Sequence, residues 1–151
     1  METVGADAVV PPRASRLRAW RAGLRPRIHL AAGVRLGRGV ELRAARGARL
    51  VLGDGVAVGD GARIEAAGGE LRVGAGSILG ERCVLSGAVN VGSECVVGAW
   101  ALVEGAAVLE DRARLAAHAV AHSGARVGRG AVIGSYAVVD DAVAAGALLH
   151  G

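Results

Sequence analysis

Val73-Gly-Ala-Gly-Ser-Ile, Val91-Gly-Ser-Glu-Cys-Val and Ile133-Gly-Ser-Tyr-Ala-Val are copies of one six-residue pattern that fills the stretch from Val73 to Ala144. An aliphatic or small residue returns at every sixth position: Val73, Leu79, Leu85, Val91, Val97, Val103, Leu109, Leu115, Ala121, Val127, Ile133 and Val139. A second series trails the first by four, starting Ser77, Cys83, Val89 and Cys95 and running through alanines to Ala137 and Val143. A helix needs a period near 3.6 and a simple strand a period of 2, so six fits neither. Six is the period of a β-helix, in which each short strand turns two side chains inward and a glycine-rich corner redirects the chain. The pattern also extends towards the N-terminus, through Leu30, Leu36 and Leu42 and then Leu52, Val58 and Ile64. Two steps are long, Leu42 to Leu52 and Ile64 to Val73. Residues Ala48–Val51 and Glu70–Arg72 are therefore expected to form bulges or lengthened corners on the surface, with no His or nucleophile to give them chemistry.

The rest of the composition agrees with a narrow tube. The chain has 151 residues, 52% of them hydrophobic but only 2% aromatic, with Gly 25. Length and pattern predict one all-β domain over residues 30–151, preceded by a capping segment over residues 1–29. Within that segment Met1–Ser15 reads as a flexible lead-in. Arg16–Arg27 places Leu17, Trp20 and Leu24 at helical spacing, with Pro26 to end the helix. That helix reads as a cap over the first coil, or alternatively as a weak membrane-surface contact. Met1–Val10 carries acids and no apolar run, so no signal peptide is expected and the protein is placed in the cytoplasm.

The net charge of +4 divides unevenly: residues 1–50 hold eleven Arg against Glu2, Asp7 and Glu41, and the remainder is acidic. A basic half without stacking aromatics or a known module argues against nucleic acid as a partner. Cys83 and Cys95 both fall in the small inward series and read as reduced core residues.

These hexads resemble the repeat of the left-handed parallel β-helix proteins, which include trimeric acetyl- and acyltransferases and the γ-class carbonic anhydrases. The left hand is implied by the resemblance alone, as is the rule that three hexads make one coil. With that rule, residues eighteen apart stack. Val84, Leu102, Val120 and Val138 then form an outward apolar column, Ile78, Val96, Arg114 and Val132 a second, and Asn90, Val108, Arg126 and Ala144 a third. An apolar stripe outside a soluble tube marks an interface or a groove. The resemblance implies a homotrimer, with acetyl-CoA lying between subunits. Flanking the first column stand two corner columns: Arg82, Trp100, His118 and Tyr136 before it, and Ser86, Glu104, His122 and Asp140 after it.

His122, one coil from both Glu104 and Asp140, is the first candidate for a general base. His118 is the second candidate, although its neighbours favour stacking. Trp100, Leu102, Val120, Tyr136 and Val138 are expected to line a substrate or cofactor groove. The resemblance also has gaps. No external loop interrupts Val73–Val139, and no C-terminal tail follows Leu148-Leu149-His150-Gly151. Ser86, Ala99 and Glu104 fall where the anhydrases would need zinc-binding histidines, so no metal is expected. Two functional readings follow: acetyl transfer from acetyl-CoA to a small-molecule sugar or amine acceptor, with backbone N–H groups holding the oxyanion, or a catalytically silent scaffold or partner subunit.

Overall fold

Pairs of β-branched and aliphatic residues separated by small-residue corners leave little choice but short strands, because the side chains alternate across each one. The computed structural model describes residues 27–151 and the backbone of Glu2–Val4. The described chain winds as an all-β parallel solenoid of three seven-stranded sheets, with no helix among the described residues. The first sheet stacks Glu2–Val4, Glu41–Ala44, Arg63–Ala66, Val84–Gly87, Leu102–Gly105, Val120–Ala121 and Val138–Val139. The second runs from Ile28–Leu30 to Ala142–Val143 and the third from Arg35–Leu36 to Leu148–Leu149. Consecutive strands in the chain belong to different sheets, so nearly all pairing is between coils.

The predicted inward series are the core. Every member from Val73 to Val139, and from Ser77 to Ala137, is buried. Burying one such Val or Leu contributes about 1.5–3 kcal/mol, which lets a tube this thin hold its coils in order. Ser77 is the buried polar member, and both sides of its hydroxyl are used. It donates to the Gly92 carbonyl at 2.8 Å and accepts the Cys95 N–H at 3.1 Å. The Cys95 thiol in turn donates to the Glu110 carbonyl at 3.1 Å. Both cysteines are free, and burial pushes the Cys83 thiol up to about 12, so neither is poised as a nucleophile.

Three expectations need correction. Ala48–Val51 and Glu70–Arg72 are not bulges: Arg49–Leu52 and Glu70–Val73 are four-residue strands of the second sheet, paired in register from Arg49↔Glu70 to Leu52↔Val73. The added length widens the early coils, and Leu50 and Leu71 point inward, fully buried. At the other end Arg126 pairs with Ala142, not Ala144, and Val132 pairs with Leu148. The corner at Asp140 and Asp141 has two residues where residues 122–125 of the preceding coil have four, so the last coil is short. Finally, Glu2–Val4 is not loose lead-in. It pairs antiparallel with Glu41–Ala44 and closes the open edge of the first sheet. The helix expected over Arg16–Arg27 falls, up to residue 26, outside the described residues.

Candidate functional site

The eighteen-residue stacking rule holds where the candidate residues lie. Val84 pairs with Leu102, Leu102 with Val120, and Val120 with Val138, so the predicted apolar column is one straight stripe on the first sheet. Arg63, bonded to Glu41 at 3.3 Å, bounds its N-terminal end. At the other end Val138 is 49% exposed. The second column, Ile78, Val96, Arg114 and Val132, is likewise in register on the third sheet and ends at Leu148. Among the described residues the exposed large hydrophobic ones, Ile78, Val132, Leu148, Trp100, Tyr136 and Val138, lie on these two sheets or on the corner between them.

That corner carries the aromatic column. The His118 ring lies parallel to Tyr136, 4.8 Å between centroids and 2° between planes, and parallel to Trp100 at 6.2 Å and 5°. Arg82 sits over the far side of Trp100 at 5.2 Å. His118 therefore stacks. All four residues adopt positive φ between 54° and 64°, a conformation that the same corner gives to Gly39 and Gly61 in earlier coils. A left-handed non-Gly residue costs about 1–2 kcal/mol. Stacked rings return about 0.5–1.5 kcal/mol per pair and an exposed cation–π contact about 0.5–1, so the side-chain contacts recover only part of that strain.

Across the first sheet stands the second corner column. Ser86 pairs with Glu104, and His122 follows one coil on. His122 Nδ1 lies 2.6 Å from Glu104 Oε1, and Nε2 lies 3.7 Å from Asp140 Oδ1. With Nδ1–H donating to Glu104, the tautomer is fixed and Nε2 carries the lone pair; Asp140 is too distant for a hydrogen bond and acts through its charge. The bond to Glu104 is the main cause holding the imidazole above its ordinary range. Partial desolvation opposes it, and the charges of Asp140 and Glu104 add to the lift. A polarised, half-exposed imidazole of this kind can accept a proton from a bound hydroxyl or amine.

The structure thus brings His122, Glu104 and Asp140 together and places Trp100, His118 and Tyr136 as a unit on the opposite edge, with Leu102, Val120 and Val138 between them. Two surface depressions lie apart from His122, the second at the N-terminal end of the aromatic corner. One of about 440 Å³ is lined by Asn90, Val108, Glu110, Asp111 and Arg129 among others, and one of about 590 Å³ by Arg38, Glu41, Asp60, Arg63, Glu81 and Arg82 among others. Neither of the two contains His122, which stands at the edge of the first sheet. Among the described residues no group of three His, Cys, Asp or Glu is placed to hold a metal ion, and no helix is long and apolar enough to cross a membrane.

Architecture and repeat define the class: a hexapeptide-repeat parallel β-solenoid, the fold of the hexapeptide acyltransferases. Among solved structures the chain is similar to UDP-N-acetylglucosamine acyltransferase from Francisella novicida, with a TM-score of 0.64 and 19% identity over 78% of this chain. The match covers 56% of that enzyme, so this chain spans little more than half its length. It is also similar to a hexapeptide transferase family protein from Anaplasma phagocytophilum, at TM-score 0.37 and 19% identity, covering 82% of this chain and 78% of that one. A third match is a GDP-perosamine N-acetyl transferase variant from Caulobacter crescentus in complex with CoA and GDP-perosamine. It has a TM-score of 0.29 and 21% identity, covering 92% and 60% of the two chains. The first of these establishes the shared fold. No protein-family model and no curated protein matches the sequence.

Proposed function

We propose that this protein is a cytoplasmic acyltransferase that moves an acetyl group from acetyl-CoA to a hydroxyl or amino group of a sugar or amine. The observation that carries the reading is the His122 imidazole, bonded to Glu104 at 2.6 Å and flanked by Asp140 beside a partly exposed apolar stripe. His122 Nε2 takes the proton from the acceptor as its oxygen or nitrogen attacks the thioester carbonyl. The carbon–sulfur bond breaks, and the imidazolium returns the proton to the departing thiolate. Glu104 holds the reactive tautomer, and Asp140 steadies the positive charge that forms. Leu102, Val120 and Val138 offer the apolar surface that suits the thioester arm of an acyl donor, and the Trp100–His118–Tyr136 edge receives the acceptor. A second subunit would wall the site beside His122, and a homotrimer packed along the first-sheet stripe or its third-sheet neighbour supplies it. Replacing His122 with Ala should cost about 10²–10⁴-fold in transfer rate while leaving acetyl-CoA affinity near wild type; unchanged turnover would remove His122 from the reaction.

A second reading is favoured by one observation. From Ile28 to Leu149 each coil follows the last without an external loop, so nothing on a single subunit encloses a substrate. On that reading the solenoid is a catalytically silent scaffold or partner subunit, and it binds no acetyl-CoA at all.

A further inference from the structure

The arginines of one coil form a ring around the tube. Ile28 pairs with Leu50, so residues 28–49 make one full turn, and that turn carries Arg35, Arg38, Arg43, Arg46 and Arg49 against a single acid, Glu41. Arg35 stands on the third sheet, Arg43 on the first and Arg49 on the second, with Arg38 and Arg46 on the two corners that flank the first sheet. Arg43 lies 3.6 Å from Glu41. The other four are exposed and make no ion pair among the described residues. Arg82, Arg114 and Arg129 also make none, but they stand one to a coil, and Arg82 sits over Trp100. Past the ring the sign reverses at once, because residues 50–71 hold Asp54, Asp60, Glu65 and Glu70 against Arg63. On the other side of the ring Glu2–Val4 runs antiparallel to Glu41–Ala44, and a succession of parallel coils cannot continue past it on that sheet. The sequence between that strand and the ring adds six arginines, Arg13 to Arg27, against Asp7.

We propose that this ring docks the solenoid by its N-terminal pole on an anionic lipid surface, with the tube axis standing away from the bilayer. The arrangement suits a plane better than a linear polymer. A nucleic acid or other linear polyanion follows one track, and arginines that face three directions cannot share it. A surface set across the axis can meet them all, since an extended arginine reaches past the coil rise of about 4.8 Å and carries its charge to the phosphate layer. The reversal of sign beyond the ring sets the orientation, because the acidic coils are pushed away from a negative surface. That attraction acts within about 8 Å at physiological salt, which covers the ring and not the distant coils. No helix among the described residues is long and apolar enough to cross a membrane, so the contact is peripheral. The inference stands apart from the transfer reading, because a silent scaffold would dock in the same way.

The experiment is co-sedimentation of the full chain with vesicles of phosphatidylcholine alone and of phosphatidylcholine mixed equally with phosphatidylglycerol. The protein should bind the mixed vesicles, leave the neutral ones, and come off as salt is raised. Replacing Arg35, Arg38, Arg46 and Arg49 together with Gln should weaken that binding about tenfold or more. These side chains are exposed and without ion pairs, so the variant should fold and melt as wild type does. Replacing Arg112, Arg114, Arg126 and Arg129 together with Gln removes the same charge from later coils and should leave vesicle binding near wild type. Four outcomes would overturn the proposal. One is no preference for the anionic vesicles, and a second is an equal loss in both variants, which would make net charge alone responsible. A third is full binding by the first variant, which would move the contact to Arg13–Arg27. The last is capture by a DNA duplex that the vesicles cannot displace.

Discussion

At the scale of single residues, the chemistry rests on which atoms of His122 are engaged. Its Nδ1 is committed to Glu104 at 2.6 Å, so the remaining nitrogen titrates in an environment that favours the charged ring. A base is inactive while protonated. The sign of the pH dependence follows: kcat/KM should rise with pH through a folded value above the ordinary 6.5, not below it. Glu104→Gln removes the main cause of the lift, so the acid limb should move to lower pH while maximal turnover falls; a pH–rate profile that stays in place would contradict the assignment. The pairing itself was legible, because residues 104, 122 and 140 are spaced by the same eighteen positions that set the register of the first sheet. The positive φ of Trp100, His118 and Tyr136 was not legible. Glycine normally marks that conformation, and Gly39 and Gly61 mark it at this corner three and two coils before Trp100.

Elements here are strands of two to four residues, and what they need is close approach between coils. Gly98 shows how little room is left: a methyl group added there would come within 2.6 Å of the backbone of Ala116 and Ala117, where no flexible side chain can yield. Gly98→Ala should therefore destabilise the protein by about 1–3 kcal/mol, measured as a lower denaturant midpoint; an unchanged midpoint would show that the coils separate more easily than their packing implies. The hexad series identified these strands from Val73 onward because inward residues there repeat without interruption. It failed where corner length changed. Nothing in the order of residues says that Leu50 and Leu71 lengthen strands instead of bulging, or that Asp140 and Asp141 make a corner two residues shorter and put Ala142 on Arg126. Corner geometry is set by how one coil seats on the next, which is information between coils, not within a hexad. The Glu2–Val4 strand escaped for the same reason: an edge strand is defined by the partner it finds.

On the scale of the whole molecule, two sheets and the corner between them carry the exposed large apolar residues among the described ones, while from Glu70 onward the Arg126–Glu110 and Arg72–Glu70 ion pairs decorate the second sheet. That asymmetry suits a subunit that turns one side to its copies and another to water. Leu102→Arg, placed in the middle of the first-sheet stripe, should convert a trimer into monomers by light scattering at micromolar concentration, because an unpaired charge is costly to bury between subunits. A wild-type monomer would assign the stripe to another purpose. Whether the protein is an enzyme at all turns on the acyl donor, since only the transferase reading requires a site for it. The direct measurement is a calorimetric titration of the wild-type chain with acetyl-CoA, repeated on His122→Ala. The transferase account predicts saturable binding in both proteins, with transfer to an acceptor lost only in the variant; the absence of any binding heat from the wild type would contradict it and leave the scaffold.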